Sequence, residues 1–366
     1  MKKYDLDTPS VLIDIDQMER NIKGMADFAR ANGIKLRPHT KTHKSTFIAH
    51  EQLKAGAGGI TVAKLSEAEV MISSGIDDIF VAYTVVGREK LERLMRLMRF
   101  ATIALGVDSI EGAKAISEVA IDHGRVVDVL IEVDTGLGRC GVTPGDAAVR
   151  LAEGISDLKG IRLRGLFTHA GHGSKALTPD DLQQVGTLEG GLLVDTARLM
   201  KAHGIFVNEI SVGSTPTCKI SGRVKGVTEI RPGTYVFNDG SLVGLGLVRL
   251  EECALSILTT IISRPADDRA VLDAGSKALS SDKEPIPRIG GHGIIKESPH
   301  SQIERLYEEH GVVKIQGDGD VFKIGRKVEV VPMHVCPVVN LADYAYLVSG
   351  EDVVGKIAID ARGRAQ

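Results

Sequence analysis

The run from residue 34 to about 235 constrains the fold more than any other feature of the chain. Short β-branched stretches alternate there with amphipathic segments, several of which stop at a glycine. The strand candidates are "KLRPH" (35–39), "ITVA" (60–63), "IFVAY" (79–83), "IALGVD" (103–108), "VLIEVD" (129–134), "RGLFTH" (164–169), "EISVG" (209–213) and "TEIRPG" (228–233). Between them, "SEAEVMISSG", "REKLERLMRLMRF" and "SIEGAKAISEVAIDHG" place apolar residues at spacings of three and four, as "MERNIKGMADFARANG" does before the first strand. Repeated strand–helix units build a parallel sheet covered by helices, and eight strands is the number that closes a (β/α)8 barrel. The connection 214–227 is short and reads as a loop more than a helix.

After Asn238 the rhythm changes. "LSILTTIIS", "RAVLDAGSKALS", "KVEVVPMHV", "DYAYLVSG" and "VVGKIAID" are strand-like runs joined by turns, without regular helices. "VLIDID" (11–16) would be a ninth strand, so it falls outside the barrel. The fold class expected is therefore α/β, a TIM-like (β/α)8 barrel over residues 17–240 plus a β-rich domain over 241–366 that takes in residues 1–16.

Composition narrows the partners. The net charge is −3 with 25 % charged residues and no long single-sign block, which argues against nucleic acid and membrane surfaces. Trp is absent and aromatics are 4 %, leaving little from which to build base-stacking platforms. The N-terminus lacks an apolar leader, and no stretch approaches the roughly 18 uninterrupted apolar residues of a spanning helix. Cys140, Cys218, Cys253 and Cys336 are scattered, which fits reduced thiols. A cytoplasmic protein acting on a small molecule is the expectation.

In such barrels the site lies at the C-terminal strand ends. "LRPHTKTHKS" (36–45) puts Lys41 just past the first strand, where a lysine near other cations and partly removed from water becomes nucleophilic; the bland alternative is a solvated basic loop. "VGSTPT" (212–217) and "RPGTY" (231–235) follow the seventh and eighth strands, the usual place of a phosphate site, with Gly213, Ser214, Gly233 and Thr234 as candidates. A strand-end lysine with a phosphate grip suggests pyridoxal 5'-phosphate. "DTGLGRCG" (134–141) can turn sharply and aim Arg139 at the barrel mouth, and "FTHAGHG" (167–173) sets His169 and His172 at the next strand end. In "VVPMHVCPVVNL" (330–341), His334 and Cys336 stand two apart in a segment read as extended, so both point to one face, as imidazole and thiolate ligands of Zn²⁺ would. A buried cysteine beside a hydrogen-bonded histidine is the plain alternative.

Taken in order, "RPHTKTHK", "DTGLGRCGV", "THAGHG", "RPGTYVFND", "DAGSKALS" and "HVCPVVN" resemble the motifs of fold-type III pyridoxal-phosphate enzymes of the D-serine dehydratase and D-threonine aldolase group, relatives of alanine racemase. The resemblance spans nearly the whole chain. It implies that Lys41 carries the cofactor, with His39, Thr42 and His43 around it. Gly213, Ser214, Gly233 and Thr234 would hold the phosphate, Arg139 and Tyr235 would lie near the cofactor, and Arg231 would contact the pyridine nitrogen. His334 and Cys336 match the metal ligands of the dehydratase branch, whose metal is zinc; Mn or Mg is the alternative. The implied activity is that of a lyase on D-3-hydroxy-α-amino acids, either β-elimination to a 2-oxo acid and ammonia or retro-aldol cleavage to glycine and an aldehyde, with His169 or His172 as a base. An amino-acid racemase and a non-catalytic cofactor carrier fit the motifs less well. The resemblance also implies a homodimer with shared active sites.

Overall fold

The computed structural model describes residues 1–283 and 289–366. The chain opens with β1 (Ser10–Asp14) and α1 (Ile15–Ala31). Eight strands follow: β2 (Lys35–Leu36), β3 (Ile60–Val62), β4 (Asp78–Thr84), β5 (Thr102–Val107), β6 (Val127–Glu132), β7 (Ile161–Phe167), β8 (Glu209–Val212) and β9 (Glu229–Ile230). All pair in parallel, in the order β2-β9-β8-β7-β6-β5-β4-β3, and a parallel bridge between His39 and Thr61 joins the two ends. The sheet is thus the expected (β/α)8 barrel. Its connections carry α2 (Thr46–Lys54), α3 (Leu65–Ser73), α4 (Arg88–Leu97), α5 (Ile110–Asp122), α6 (Asp146–Ser156), α7 (Pro179–Ala202) and the single turn α8 (Cys218–Ser221), which replaces the last helix as the sequence predicts.

Two barrel strands are shorter than their sequence runs. "KLRPH" keeps only Lys35–Leu36 and "TEIRPG" only Glu229–Ile230, because Pro38 and Pro232 cannot donate to a ladder. Inside the barrel, Phe80, Ala104, Leu130 and Phe167 form one buried cluster, with the two rings edge-to-face at 5.0 Å. Gly106 makes that packing fit: a Cβ there would stand 2.6 Å from Phe167 Cζ.

The remaining strands are β10 (Leu255–Ala266), β11 (Arg269–Leu272), β12 (Gly293–Ile295), β13 (Gln302–Leu306), β14 (Gly311–Lys314), β15 (Lys327–Pro332), β16 (Tyr344–Ser349) and β17 (Asp352–Ala358). The sheet order β11-β14-β13-β12-β15-β10, with β10 paired back to β11, closes a small antiparallel barrel. β1 lies antiparallel to β10 and parallel to β16, so "VLIDID" joins this β-rich sheet.

Contacts divide the chain into two compact units: residues 1–23, 42–47 and 234–363 form one, and residues 24–41, 48–233 and 364–366 the other. The change of rhythm in the sequence puts the divide at 240/241 instead. The β-rich unit is not free of helices: α9 (Gly240–Gly244), α10 (Ser276–Leu279) and α11 (Val335–Leu341) interrupt it. The segment 330–341, expected to be extended, is a strand only to Pro332 and then turns into α11. His334 is the residue capping that helix, and Pro337, in the first turn, needs no intrahelical partner for a missing N–H. No described helix is long and apolar enough to cross a membrane.

Candidate active site

The C-terminal end of the (β/α)8 barrel gathers basic and imidazole side chains. Lys41 sits in a 3₁₀ turn, Thr40–Thr42, directly after the closing bridge, and Thr40 Oγ1 donates to Thr61 O at 3.1 Å to pin that turn to β3. The His39 amide donates to Pro232 O at 3.0 Å, and the Lys41 amide lies 3.5 Å from His39 Nδ1. Desolvation holds His39 well below the usual imidazole range, and the nearby charges of Lys41 and Arg231 push the same way. His169 behaves alike. Burial, then Lys41 and Arg139, lower it to about 3, so it is a neutral imidazole whose Nδ1–H donates to Gly213 O at 2.6 Å. The structure therefore brings His39, Lys41, His169 and Arg231 within electrostatic reach of one another.

Arg231 is buried without a directly bonded carboxylate among the described residues. Its Nη1 donates to Ser211 Oγ at 2.6 Å and its Nη2 to Thr168 O at 2.5 Å, while the guanidinium lies over the Phe80 and Phe167 rings at 5.6 and 5.3 Å. Ser211 Oγ passes the contact on by donating to Glu229 Oε1 at 2.6 Å, and Glu229 Oε2 accepts from Arg37 Nε at 2.8 Å. Arg139 is half exposed, with Nη2 3.7 Å from Glu132 Oε1. Its loop is folded around Asp134, whose carboxylate accepts from the amides of Gly136, Leu137 and Gly138. His172 packs on that loop, its Nε2 3.2 Å from where a Gly136 Cβ would stand.

The loop after β8 is more committed than the sequence suggests. The Gly213 amide donates to the buried Glu189 carboxylate at 3.1 Å. Ser214 Oγ donates to Thr217 Oγ1 at 2.7 Å, since the Thr217 hydroxyl hydrogen is given to Glu189 Oε2. Gly233 ends the same unit one residue past Pro232.

In the β-rich unit, Thr234 and Tyr235 form the 3₁₀ turn Thr234–Val236, with Tyr235 buried and Thr234 O accepting from Asn238 N at 2.7 Å. His334 Nδ1 lies 2.7 Å from Asp282 Oδ2. Burial alone would lower His334, but the Cys336 sulfur, Asp282 and Asp239 outweigh it and raise it to about 9. The helical turn, not an extended strand, is what brings the Cys336 sulfur to the imidazole. Cys336 Sγ is 3.4 Å from Thr42 Oγ1, and Thr42 is the residue after Lys41 in the chain. Asp239 is buried beneath the pair: it caps α9 through Leu242 N at 3.2 Å and accepts from Val335 N at 3.4 Å. Among the described residues no group of three or more His, Cys, Asp or Glu side chains is clustered as a metal cage.

Sequence reasoning missed Asp282, Asp239 and Glu189. Asp282 lies 52 positions from His334 and Glu189 lies mid-helix, so neither spacing gives a signal; Asp239 sat inside "RPGTYVFND" without a role.

Pyridoxal phosphate fits the barrel end on one physical observation. Arg231 Nε is buried with no hydrogen-bond partner among the described residues, and an unpaired buried donor costs about 1–3 kcal/mol unless a ligand accepts from it. A ring nitrogen is such an acceptor. For a metal, His334 and Cys336 provide imidazole and sulfur donors, with Asp282 on the far ring nitrogen, the arrangement that orients a ligating histidine.

Residues 13–240 match the family model "Alanine racemase, N-terminal domain", and residues 254–348 match "Putative serine dehydratase domain". The chain is 37 % identical over 348 residues to a D-threo-3-hydroxyaspartate dehydratase of Delftia sp. (strain HT23), covering 90 % of this chain and 91 % of that one. Among solved structures, D-threonine aldolase from Filomicrobium marinum superposes with a TM-score of 0.92 at 32 % identity, over 100 % of this chain and 98 % of that one. A cysteine-to-alanine mutant of D-threo-3-hydroxyaspartate dehydratase in the metal-free form gives 0.90 at 33 %, over 98 % and 99 %. With both family models matched along the chain and a relative 37 % identical over nine-tenths of it, the chain belongs to the fold-type III pyridoxal-phosphate lyases of the D-serine dehydratase and D-threonine aldolase family, relatives of alanine racemase.

Proposed function

We propose that this chain is a pyridoxal-phosphate- and zinc-dependent lyase that eliminates the 3-hydroxyl of D-3-hydroxy-α-amino acids, giving a 2-oxo acid and ammonia. The observation that carries the reading is the imidazole–sulfur pair of His334 and Cys336 with Asp282 on His334 Nδ1, a borderline-soft donor set suited to Zn²⁺. Lys41, His39, Arg139, Gly213, Ser214, Arg231, Gly233, Thr234 and Tyr235 are the residues assigned to the cofactor. When bound, the cofactor ring delocalises the electron pair left at Cα and the metal draws charge from the 3-hydroxyl.

Lys41 Nζ is the group assigned to take the Cα proton of the substrate. His169 is poorly suited to proton abstraction, because a pKa of about 3 leaves it a weak acceptor near neutrality. The same weakness counts against His169 as the base on a 3-hydroxyl and leaves His172 as the candidate for that role, so the preference for elimination rests on the His334–Cys336 pair. In net terms the substrate loses water across Cα and Cβ and regains it at C2 as ammonia leaves; D-serine would give pyruvate. The second reading, cleavage to glycine and an aldehyde, is supported by the similarity to D-threonine aldolase.

Product analysis provides the test. Purified protein supplied with the cofactor and Zn²⁺ is incubated separately with D-serine, D-threonine and D-threo-3-hydroxyaspartate. Formation of 2-oxo acid and ammonia supports elimination; glycine plus aldehyde supports the second reading; neither product from any of them rejects both. Lys41→Ala should remove the visible absorption of the bound cofactor. The proposal includes a homodimer with shared sites in a reducing cytoplasm, in keeping with four free cysteines, and equilibrium sedimentation checks the assembly.

A further inference from the structure

Glu189 lies on α7, outside every motif discussed so far, and its side chain is completely buried. Two glycines let the helix bring it in. A Cβ at Gly186 would stand 2.7 Å from Ile220 Cβ, and one at Gly190 would stand 2.8 Å from Val224 Cβ, so α7 packs directly on the segment that follows the β8 loop. The carboxylate is then met by neutral donors from two strand-end loops. Oε1 accepts from the Gly213 amide at 3.1 Å and from the Ala170 amide at 3.4 Å, and Oε2 accepts from Thr217 Oγ1 at 2.6 Å. Thr217 Oγ1 is also 2.7 Å from Ser214 Oγ, and Gly213 O accepts from His169 Nδ1 at 2.6 Å. The loop after β7, which carries His169, and the loop after β8, which carries Gly213 and Ser214, are therefore held in one closed ring of hydrogen bonds centred on this carboxylate.

Burying a carboxylate is costly unless its acceptors are filled, and such groups are kept where geometry must be exact. We propose that Glu189 is a positioning residue for the cofactor phosphate: it fixes the 213–217 loop assigned above to that phosphate, and it sets His169 against that loop. The assignment rests on the pyridoxal-phosphate reading above. Glu189 touches neither substrate nor cofactor in this scheme and acts only through Gly213, Thr217 and Ala170.

The test separates the phosphate from the rest of the cofactor. The full chain, resolved of cofactor, is titrated with pyridoxal 5'-phosphate and, in parallel, with pyridoxal, which lacks the phosphate; visible absorbance gives each Kd, and thermal melting reports folding. Glu189→Ala should weaken the phosphate form at least tenfold while leaving pyridoxal within about threefold of wild type. Glu189→Gln, which keeps an acceptor for the Gly213 amide, should hold both within about threefold. If Glu189→Ala does not fold, Thr217→Val must show the same split. The assignment is overturned if the alanine variant binds the phosphate form like wild type, if it loses both forms equally, or if Thr217→Val is indistinguishable from wild type. Wild-type protein that takes up neither compound would instead defeat the pyridoxal-phosphate reading, and this assignment with it.

Discussion

A hydrogen bond on one ring nitrogen decides what the other can do. With Nδ1 of His334 bonded to Asp282 Oδ2 at 2.7 Å, Nε2 is the nitrogen left for a metal, which must displace the proton that a pKa of about 9 keeps there near neutrality. Asp282→Asn keeps the shape but replaces the anion, so zinc affinity should fall by roughly 10–100-fold, the usual effect of losing such a partner. Competition against a chromophoric chelator measures it, and excess zinc should restore activity; an unaltered affinity would show that Asp282 does not orient the ligand. Cys336→Asp asks a related question. Exchanging a soft sulfur for a hard carboxylate should narrow the preference for Zn²⁺ over Mn²⁺, read as the ratio of their affinities, and an unchanged ratio would exclude Cys336 from the metal.

Elements explain which parts of this site were legible in the sequence. The barrel strands were, because a buried parallel strand is a short apolar run whose length and spacing survive in the sequence. "DTGLGRCG" was legible as a sharp loop, and the structure supplies the reason: Gly136, Gly138 and Gly141 have φ of +126°, +70° and +103°, and Asp134 ties the turn together. Burial would raise Asp134, but the three amides outweigh it and hold it below the usual carboxylate range. Asp134→Ala should therefore free the loop that carries Arg139, seen as faster proteolysis within 134–142 and a several-fold weaker cofactor affinity, whereas Asp134→Asn should retain most of the loop; equal protection in all three proteins would refute the role. The turn at His334 was not legible as a turn, since a spacing of two fits a strand and the helix-start signal was Pro337, one residue after Cys336. Glu189 was invisible for a different reason. A glutamate in an amphipathic helix reads as a solvent-facing residue, and only the approach allowed by Gly186 and Gly190 turns it inward.

At the scale of the whole molecule, stability toward acid follows from buried ions joined across long stretches of sequence. Glu329, on β15, contacts Lys3 near the N-terminus, Lys296 Nζ at 2.8 Å and Ser256 Oγ at 2.8 Å. Burial would raise its pKa, but Lys296 and Lys3 overcome this and bring it down to about 2 from the ordinary 4.5. A carboxylate whose folded pKa is depressed stabilises the fold above its unfolded pKa, and that contribution is lost as pH falls from about 4.5 through about 2. A gap of this size corresponds to about 3 kcal/mol at neutral pH. His169 acts in the same direction at higher pH: held near 3 when folded, it binds a proton more readily in the unfolded chain, so stability begins to decline below about 6.5. Glu329→Gln should thus lower the urea midpoint clearly at pH 7, where Lys3 and Lys296 each lose their bonded carboxylate and Glu297 remains nearby. The difference from wild type should shrink steadily between pH 4.5 and pH 2. A difference that stays constant across that range would mean that the carboxylate's charge contributes nothing and that the loss comes from packing alone.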